Sequence, residues 1–430
     1  MSELKRTILY QAHLDAGATM VDFGGWDMPI QYPEGIIAEH LYCRRHCGIF
    51  DVSHMGRIDV EGPDQVAFLQ HVLSSNVLAL DLNQAQYCII PDTNGYAIDD
   101  AYLYRFEEGK YFLVINAGNI DKDWAHLMNE AKNFDVKLTN VSDKYAAIAV
   151  QGPESKKILM TLSGGRQLTP ENVKNALNSL TMEGKPVRIA KTGYTGEPIG
   201  YELYCNSEDA RYFWDRLIEL GAKPTALGAR DTTRMEAALP LYGHEMGECE
   251  MGGEIQIYAV PLAKFAVSFD EAKGDFIGRE PLRKQFEALK KIMNRDYSSI
   301  GDLPYRIQPI YLEGKGVLRK GFPIYCKDAW AEGKQIGYVT SGTMIPYYKT
   351  EGQGLESVFT DETGKRSIGL AYMDSRICQD FDIEIDIRGR RQPAKVVGYH
   401  IRQDAAPYVR PILPDVKIET AAPNSRKSVV

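Results

Sequence analysis

Gln86-Tyr87-Cys88-Ile89-Ile90 is followed by Asp92-Thr93-Asn94-Gly95, then by Ala97-Ile98-Asp99-Asp100-Ala101-Tyr102 and on to Phe106. Lys110 to Ile115 comes next, after Glu107-Glu108-Gly109. Branched and aromatic residues at these densities read as strands, and Asn-Gly between two of them is a strong hairpin signal. Residues 119 to 133 then carry helical periodicity. Three strands in succession followed by a helix predict an antiparallel sheet with helices on one side, the α+β class.

Working outward, residues 34 to 47 read as a helix, with Ile37, His40, Leu41 and Arg44 at helical spacing. Pro63-Asp64 opens another through about Leu73. Toward the C-terminus the pattern partly repeats: strand Tyr145–Gln151, helix 153–163, strands 186–191 and Gly200–Cys205, helix Glu208–Glu219. A second α+β unit is therefore expected within residues 1–285, with the split near 140–150. Residues 286–307 end in polar sequence and read as a linker. From 308 to 412, short strands alternate with Gly turns, as in a small β-barrel. Residues 413–430 lack apolar periodicity and read as a disordered tail.

The chain has 430 residues, enough for two to three domains, and ordinary hydrophobic (44%) and charged (25%) fractions. A net charge of −8 with no long basic run argues against nucleic acid. Apolar runs fall short of a membrane span, and a signal peptide or organelle presequence is not apparent. Seven scattered cysteines suit a reduced, cytoplasmic compartment. Cys43, His46 and Cys47 lack a second pair at metal-site spacing, so buried thiols are expected and no metal.

Several blocks carry chemistry. Val21-Asp22-Phe23-Gly24-Gly25-Trp26-Asp27-Met28-Pro29 and Phe50-Asp51-Val52-Ser53-His54-Met55-Gly56 read either as a pocket wall for a flat ligand or as capped structural turns. Side chains alternate across a strand, so of Asp99 and Asp100 one faces inward. A buried carboxylate is costly unless paired or used. Glu202, on the strand after the Gly193–Gly200 loop, can accept two hydrogen bonds from a heterocycle. Arg230 opens a helix, and its fork suits carbonyl or carboxylate groups. Asp231, Arg234 and Glu236 read as a buried ion-pair network holding that helix.

These blocks, in this order, resemble the folate-binding aminomethyltransferase family, the T-proteins of the glycine cleavage system. The resemblance rests on VDFGGWDMPIQY (21–32), Ala97–Asp100, Gly193–Leu203, Leu227–Ala237, Leu241–Glu245, Gly337–Thr343 and Ile387–Arg391, and spans about residues 7 to 410. The chain departs from it at Tyr96-Ala97, at the longer Pro198-Ile199 loop, at 247–261, and at Met344-Ile345 and Tyr347-Tyr348. The resemblance implies two folate-binding α+β subdomains plus a C-terminal barrel around a central pocket. It implies tetrahydrofolate as co-substrate and lipoylated H-protein as donor, with no metal and no membrane. Asp100 is the expected catalytic acid, with Asp99 in reserve. Met55, Tyr87, Val114, Asn116, Tyr194, Glu202 and Arg230 are the expected binding residues. A tetrahydrofolate-dependent demethylase of a small methylated compound is the alternative. A basic patch of Arg388, Arg390 and Arg391, near Arg44 and Arg45, is the expected docking surface for H-protein.

Overall fold

The computed structural model describes residues 3–327, 330–352, 356–379, 381–403 and 409–413. The expected disordered tail therefore lies, beyond 413, outside the described residues. Helix α1 (Tyr10–Asp15) and the hairpin β1 (Thr19–Phe23) and β2 (Trp26–Gln31) come first. Then follow α2 (Gly35–Arg45), β3 (Gly48–Asp51), β4 (Gly56–Glu61) and α3 (Gln65–Val72). The run β5 (Gln84–Pro91), β6 (Ala97–Glu107), β7 (Lys110–Ile115), α4 (Ile120–Glu130) and β8 (Lys137–Asn140) completes the first sheet, in the order β5-β6-β7-β4-β8. All its pairings are antiparallel. At the β5–β6 turn, Asp92 Oδ1 accepts from the backbone N–H of Asn94 and Tyr96, at 2.9 and 2.8 Å. Gly95 there has φ +80°, which explains why glycine follows asparagine.

The second sheet comprises β9 (Tyr145–Gln151), β10 (Leu177–Met182), β11 (Lys185–Ala190), β12 (Gly200–Asn206) and β13 (Lys223–Pro224), with α5 (Ser155–Leu162) and α6 (Ala210–Glu219) beside it. Its order is β10-β11-β12-β9-β3-β13. Strand β3, from far upstream, pairs antiparallel with β9 and parallel with β13. Leu9, Ala12, Tyr32, Cys47 and Ile49 share one core with Ile148, Val150, Leu203 and Trp214. A single division near 140–150 is therefore corrected: the N-terminal segment up to β3 packs with the second sheet. The signal was hidden because a four-residue strand has too few positions to show alternation.

Next come α7 (Leu227–Glu236), β14 (Gly247–Glu248), β15 (Glu254–Ile255), α8 (Ala263–Ala266) and α9 (Arg279–Met293). The expected linker at 286–307 is also corrected. Helix α9 buries Leu282, Gln285, Ala288 and Ile292, and Leu303 and Ile307 lie in the same core. Its apolar stripe, not a loose connector, leads into the barrel. That closed antiparallel barrel runs β16-β19-β18-β17-β20-β21, from β16 (Tyr305–Leu312), β17 (Pro323–Cys326), β18 (Gln335–Glu351), β19 (Val358–Asp374), β20 (Asp382–Ile387) and β21 (Arg390–Val396). The fold is α+β with a C-terminal barrel. None of the helices among the described residues is long and apolar enough to cross a membrane.

The two sheets meet face to face. Tyr104, Phe106, Phe112 and Val114 of the first pack against Phe50, Ala147, Ala149 and Tyr204. Tyr104 and Tyr204 meet edge to face with ring centroids 5.7 Å apart. Such a pair contributes about 1 kcal/mol beyond its buried area.

Candidate active site

On β6 the period of two sorts every side chain. Ala101 and Leu103 face the helix-side core of the first sheet, while Tyr102 and Tyr104 face the second sheet. Asp100 has the parity of Tyr102 and Tyr104, and all three line a cavity of about 990 Å³. Asp99 has the other parity, is fully buried, and does not line the cavity. Its oxygens accept from Asn116 N (3.0 Å), Asn116 Nδ2 (2.9 Å) and Asn119 Nδ2 (2.6 Å).

Asp100 Oδ2 accepts from the Tyr87 hydroxyl at 3.0 Å and Oδ1 from Asn116 Nδ2 at 2.8 Å. Burial, then the neighbouring charge of Asp99, pushes the Asp100 carboxyl up to about 7, against the pull of these two donors. It is thus poised to change charge near neutrality, a property concentrated at functional sites.

Glu202 reaches the same cavity from β12, with Tyr204 on its face of the strand and Leu203 and Cys205 in the opposite core. Its Oε2 accepts from Thr192 Oγ1 (2.5 Å), Tyr104 OH (2.9 Å) and Tyr204 OH (3.5 Å). These contacts leave Oε1 for a ligand. Arg230 lies on α7, which packs tightly on the N-terminal hairpin: a Cβ at Gly228 would meet Ile36 at 2.5 Å and the Ile30 carbonyl at 2.7 Å. The Arg230 guanidinium is buried and its Nη1 has no hydrogen-bond partner among the described residues. Burial pulls its pKa down, while Glu202 counteracts. An orphaned buried donor costs roughly 1–3 kcal/mol unless something supplies an acceptor.

Met55 and Val114 add apolar wall, and Asn116 lines the cavity while holding both aspartates. Tyr194 lines it too, its hydroxyl donating to the Pro240 carbonyl. The structure thus brings Met55, Tyr87, Asp100, Val114, Asn116, Tyr194, Glu202 and Arg230 to one cavity and leaves Asp99 behind it. From the barrel, Thr343 and Met344 complete the wall.

Two ion networks adjoin the cavity, and Asp231 and Arg234 of the first also line it. Arg234 binds Asp231 (2.6 Å), Glu245 (3.1 Å) and the Ser341 hydroxyl of the barrel (2.9 Å). Glu236 binds Arg44 (3.0 Å), His40 (3.3 Å) and Arg366 of β19 (2.7 Å). Burial opposes its charge, yet these partners hold it well below the usual carboxylate range. Arg44 is therefore no part of a docking surface: it is 3% exposed and also binds Glu197 at 2.5 Å. Arg45 pairs with Asp361 at 2.7 Å, and Arg391 stacks over Tyr325 at 3.9 Å. Burial pushes the Cys43 thiol up to about 12 and Cys47 well above its usual value, as expected of thiols in a core.

Residues 9–258 match the GCVT N-terminal domain family. An aminomethyltransferase from Deinococcus deserti is 38% identical over 394 residues, covering 91% of this chain and 95% of that protein. The chain belongs to the GCVT family of aminomethyltransferases. A further family member, an aminomethyltransferase from Thermus thermophilus, is 38% identical over 391 residues, 91% of this chain and 97% of its own. The crystal structure of glycine cleavage system aminomethyltransferase T from Bartonella henselae matches with a TM-score of 0.72 at 27% identity, covering 92% of this chain and 97% of that one.

Sequence reasoning did not single out three further wall residues of this GCVT chain, Tyr102, Tyr104 and Tyr242, while His54 lay in the Phe50–Gly56 block read as pocket wall or structural turn. The two tyrosines were visible as positions i+2 and i+4 from Asp100. His54 is buried with Nδ1 unpartnered among the described residues, and burial pushes its imidazole down to about 4, so it is neutral. Tyr242 comes from a stretch without regular structure, where periodicity carries no signal.

Proposed function

We propose that this chain transfers an aminomethyl group from the lipoyl arm of H-protein to tetrahydrofolate, with release of ammonia. The observation that carries this reading is the wall of one cavity: a charge-poised Asp100, a half-satisfied Glu202 and an Arg230 whose Nη1 has no hydrogen-bond partner among the described residues, contributed by three separate elements. A volume of about 990 Å³ suits a ligand of this size. The aminomethyltransferase relatives support the main reading, and the demethylase alternative finds no support among them.

In this reading Glu202 Oε1 accepts hydrogen bonds from ring N–H groups of the acceptor, and Arg230 Nη1 donates to a carbonyl or carboxylate of it. Tyr102, Tyr104 and Tyr194 give it flat apolar contact. Asp100 faces the reacting nitrogens. As one carbon–nitrogen bond forms and the bond to departing ammonia breaks, positive charge grows on the transferred carbon and the attacking nitrogen. The buried Asp100 carboxylate stabilises that charge and is already in place when it appears. A second carbon–nitrogen bond then forms as the carbon–sulfur bond breaks. The two protons lost by the acceptor nitrogens end on the departing amine and on the sulfur. Positioning two nitrogens against one carbon is itself a large part of such a barrier.

The test is turnover with aminomethyl-loaded H-protein and tetrahydrofolate, following methylene-tetrahydrofolate and ammonia together. Stoichiometric formation of both supports the reading. Binding of tetrahydrofolate without either product would sink it.

A further inference from the structure

Three carboxyl groups lead inward from the cavity: Asp100 in its wall, then Asp99, also on β6, and Asp123 on α4 behind it. Asp99 and Asp123 are both fully buried. Asp123 stands against Asp99, whose charge acts on it directly. Neither Asp123 oxygen has a hydrogen-bond partner among the described residues. Two buried carboxylates so placed, one of them without any donor, cannot both stay charged; one of them carries a proton.

Which one is decided by the other partners. Asp99 accepts three N–H bonds, from Asn116 N, Asn116 Nδ2 and Asn119 Nδ2, the environment of an anion. Asp123 has no such donors. Lys122, the cation whose charge acts on Asp123, is committed elsewhere: its Nζ donates to the Ile98 carbonyl (2.6 Å) and the Tyr242 hydroxyl (2.8 Å). The remaining titratable groups facing the cluster are Tyr87, Cys88, Tyr194 and Tyr242, all held neutral chiefly by burial. The proton therefore sits on Asp123, whose O–H can then donate to Asp99.

The consequence reaches the cavity in two steps. Asp99 fixes the Asn116 amide, and the same Nδ2 holds Asp100 Oδ1 at 2.8 Å. We infer that Asp123 is a positioning residue that keeps its proton at neutral pH and, through Asp99 and Asn116, sets the orientation and charge of Asp100. The electrostatics agree: burial first, then the charge of Asp99, pushes the Asp123 carboxyl up to about 10. A protonated Asp123 also keeps the three-acid cluster from becoming triply charged, which would drive Asp100 out of its working range.

The role in transfer rests on the proposed activity; the proton does not, so the two are tested separately. Infrared difference spectra of the resting protein, wild type minus Asp123→Asn, at about pH 8.5, above the Asp100 titration but below that of Asp123, should show a protonated-carboxyl band that shifts in D2O. The absence of that band overturns the inference whatever the enzyme does. In assays with loaded H-protein, Asp123→Asn supplies an N–H in place of the O–H. It should keep kcat within about threefold and move the acid limb of the pH profile by less than about half a pH unit. A downward shift of half a unit or more would show that Asp123 had been charged. Asp123→Ala removes the donor and should lower kcat at least about tenfold with a much smaller change in KM for tetrahydrofolate. An unchanged kcat there would remove the positioning role. If Asp123→Ala does not fold, the band and the Asp123→Asn profile still decide.

Discussion

The two sheets each send one acid into the same cavity, and they hold it in opposite ways. Glu202 on β12 is anchored: three hydroxyl groups converge on Oε2, leaving Oε1 turned to the cavity. Asp100 on β6 has one donor per oxygen and an anion, Asp99, as its neighbour in sequence. An anchored carboxylate with a free oxygen is built for recognition. A carboxylate pushed up to about 7, with no cation in hydrogen-bond contact among the described residues, gains most from a positive charge that appears only during reaction. In the proposed reading, the two β-sheets separate binding from catalysis.

Charge removal on each strand breaks that separation if it is wrong. Asp100→Asn keeps size and reach, so tetrahydrofolate affinity should hold within a few fold while transfer slows by about 10²-fold or more, roughly 2.7 kcal/mol in the barrier. Parallel measurement of single-turnover rate and Kd checks both halves. Glu202→Gln should show the mirror image, with Kd for tetrahydrofolate rising about 10- to 30-fold, or roughly 1.5–2 kcal/mol, and a smaller loss in the rate at saturation. If Glu202→Gln lost rate and Asp100→Asn lost affinity, the roles would be exchanged.

The pH dependence sharpens the same contrast. In the proposed reading transfer needs Asp100 charged, so kcat/KM should fall below an acid limb near 7, and that limb should vanish in Asp100→Asn. The stability effect has the opposite sense. The folded-state pKa of Asp100 is raised, so its contribution is fully present below the unfolded value of about 3.9 and is lost as pH rises through about 7. Asp100→Asn should therefore gain on wild type in chemical denaturation between pH 4 and 8, by about 4 kcal/mol. The smallest effect belongs to the anchor. Tyr104→Phe removes one of three donors to Glu202 and should weaken tetrahydrofolate binding by about 1 kcal/mol, five- to tenfold in Kd, with kcat nearly unchanged.

Long strands with clean alternation were legible in the sequence. The β5–β7 meander, its Asn-Gly turn and the α+β class came directly from residues 86–133, whereas parity on β6 left Asp99 and Asp100 open and the choice of Asp100 came from the family resemblance. What escaped notice was non-local. Strand β3 is four residues long and joins a sheet whose other main strands begin about a hundred residues later. The helix α9 was blurred because its polar continuation resembled a linker, although Leu282, Ala288 and Ile292 sit at helical spacing on its buried side. Arg44 was read as surface because arginine usually is; only the fold reveals Glu197 and Glu236 around it. Asp123 was invisible as a site component for the same reason, since an unpaired buried atom is a property of packing and not of sequence.

A crystal structure of the chain with tetrahydrofolate tests the central claim most directly. The account predicts the ligand between the two sheets, with Glu202 Oε1 on its ring N–H groups, Arg230 on an oxygen, and the Asp100 carboxylate within hydrogen-bond reach of the reacting nitrogens. Ligand bound elsewhere, or bound with the reacting nitrogens facing away from Asp100, would contradict it.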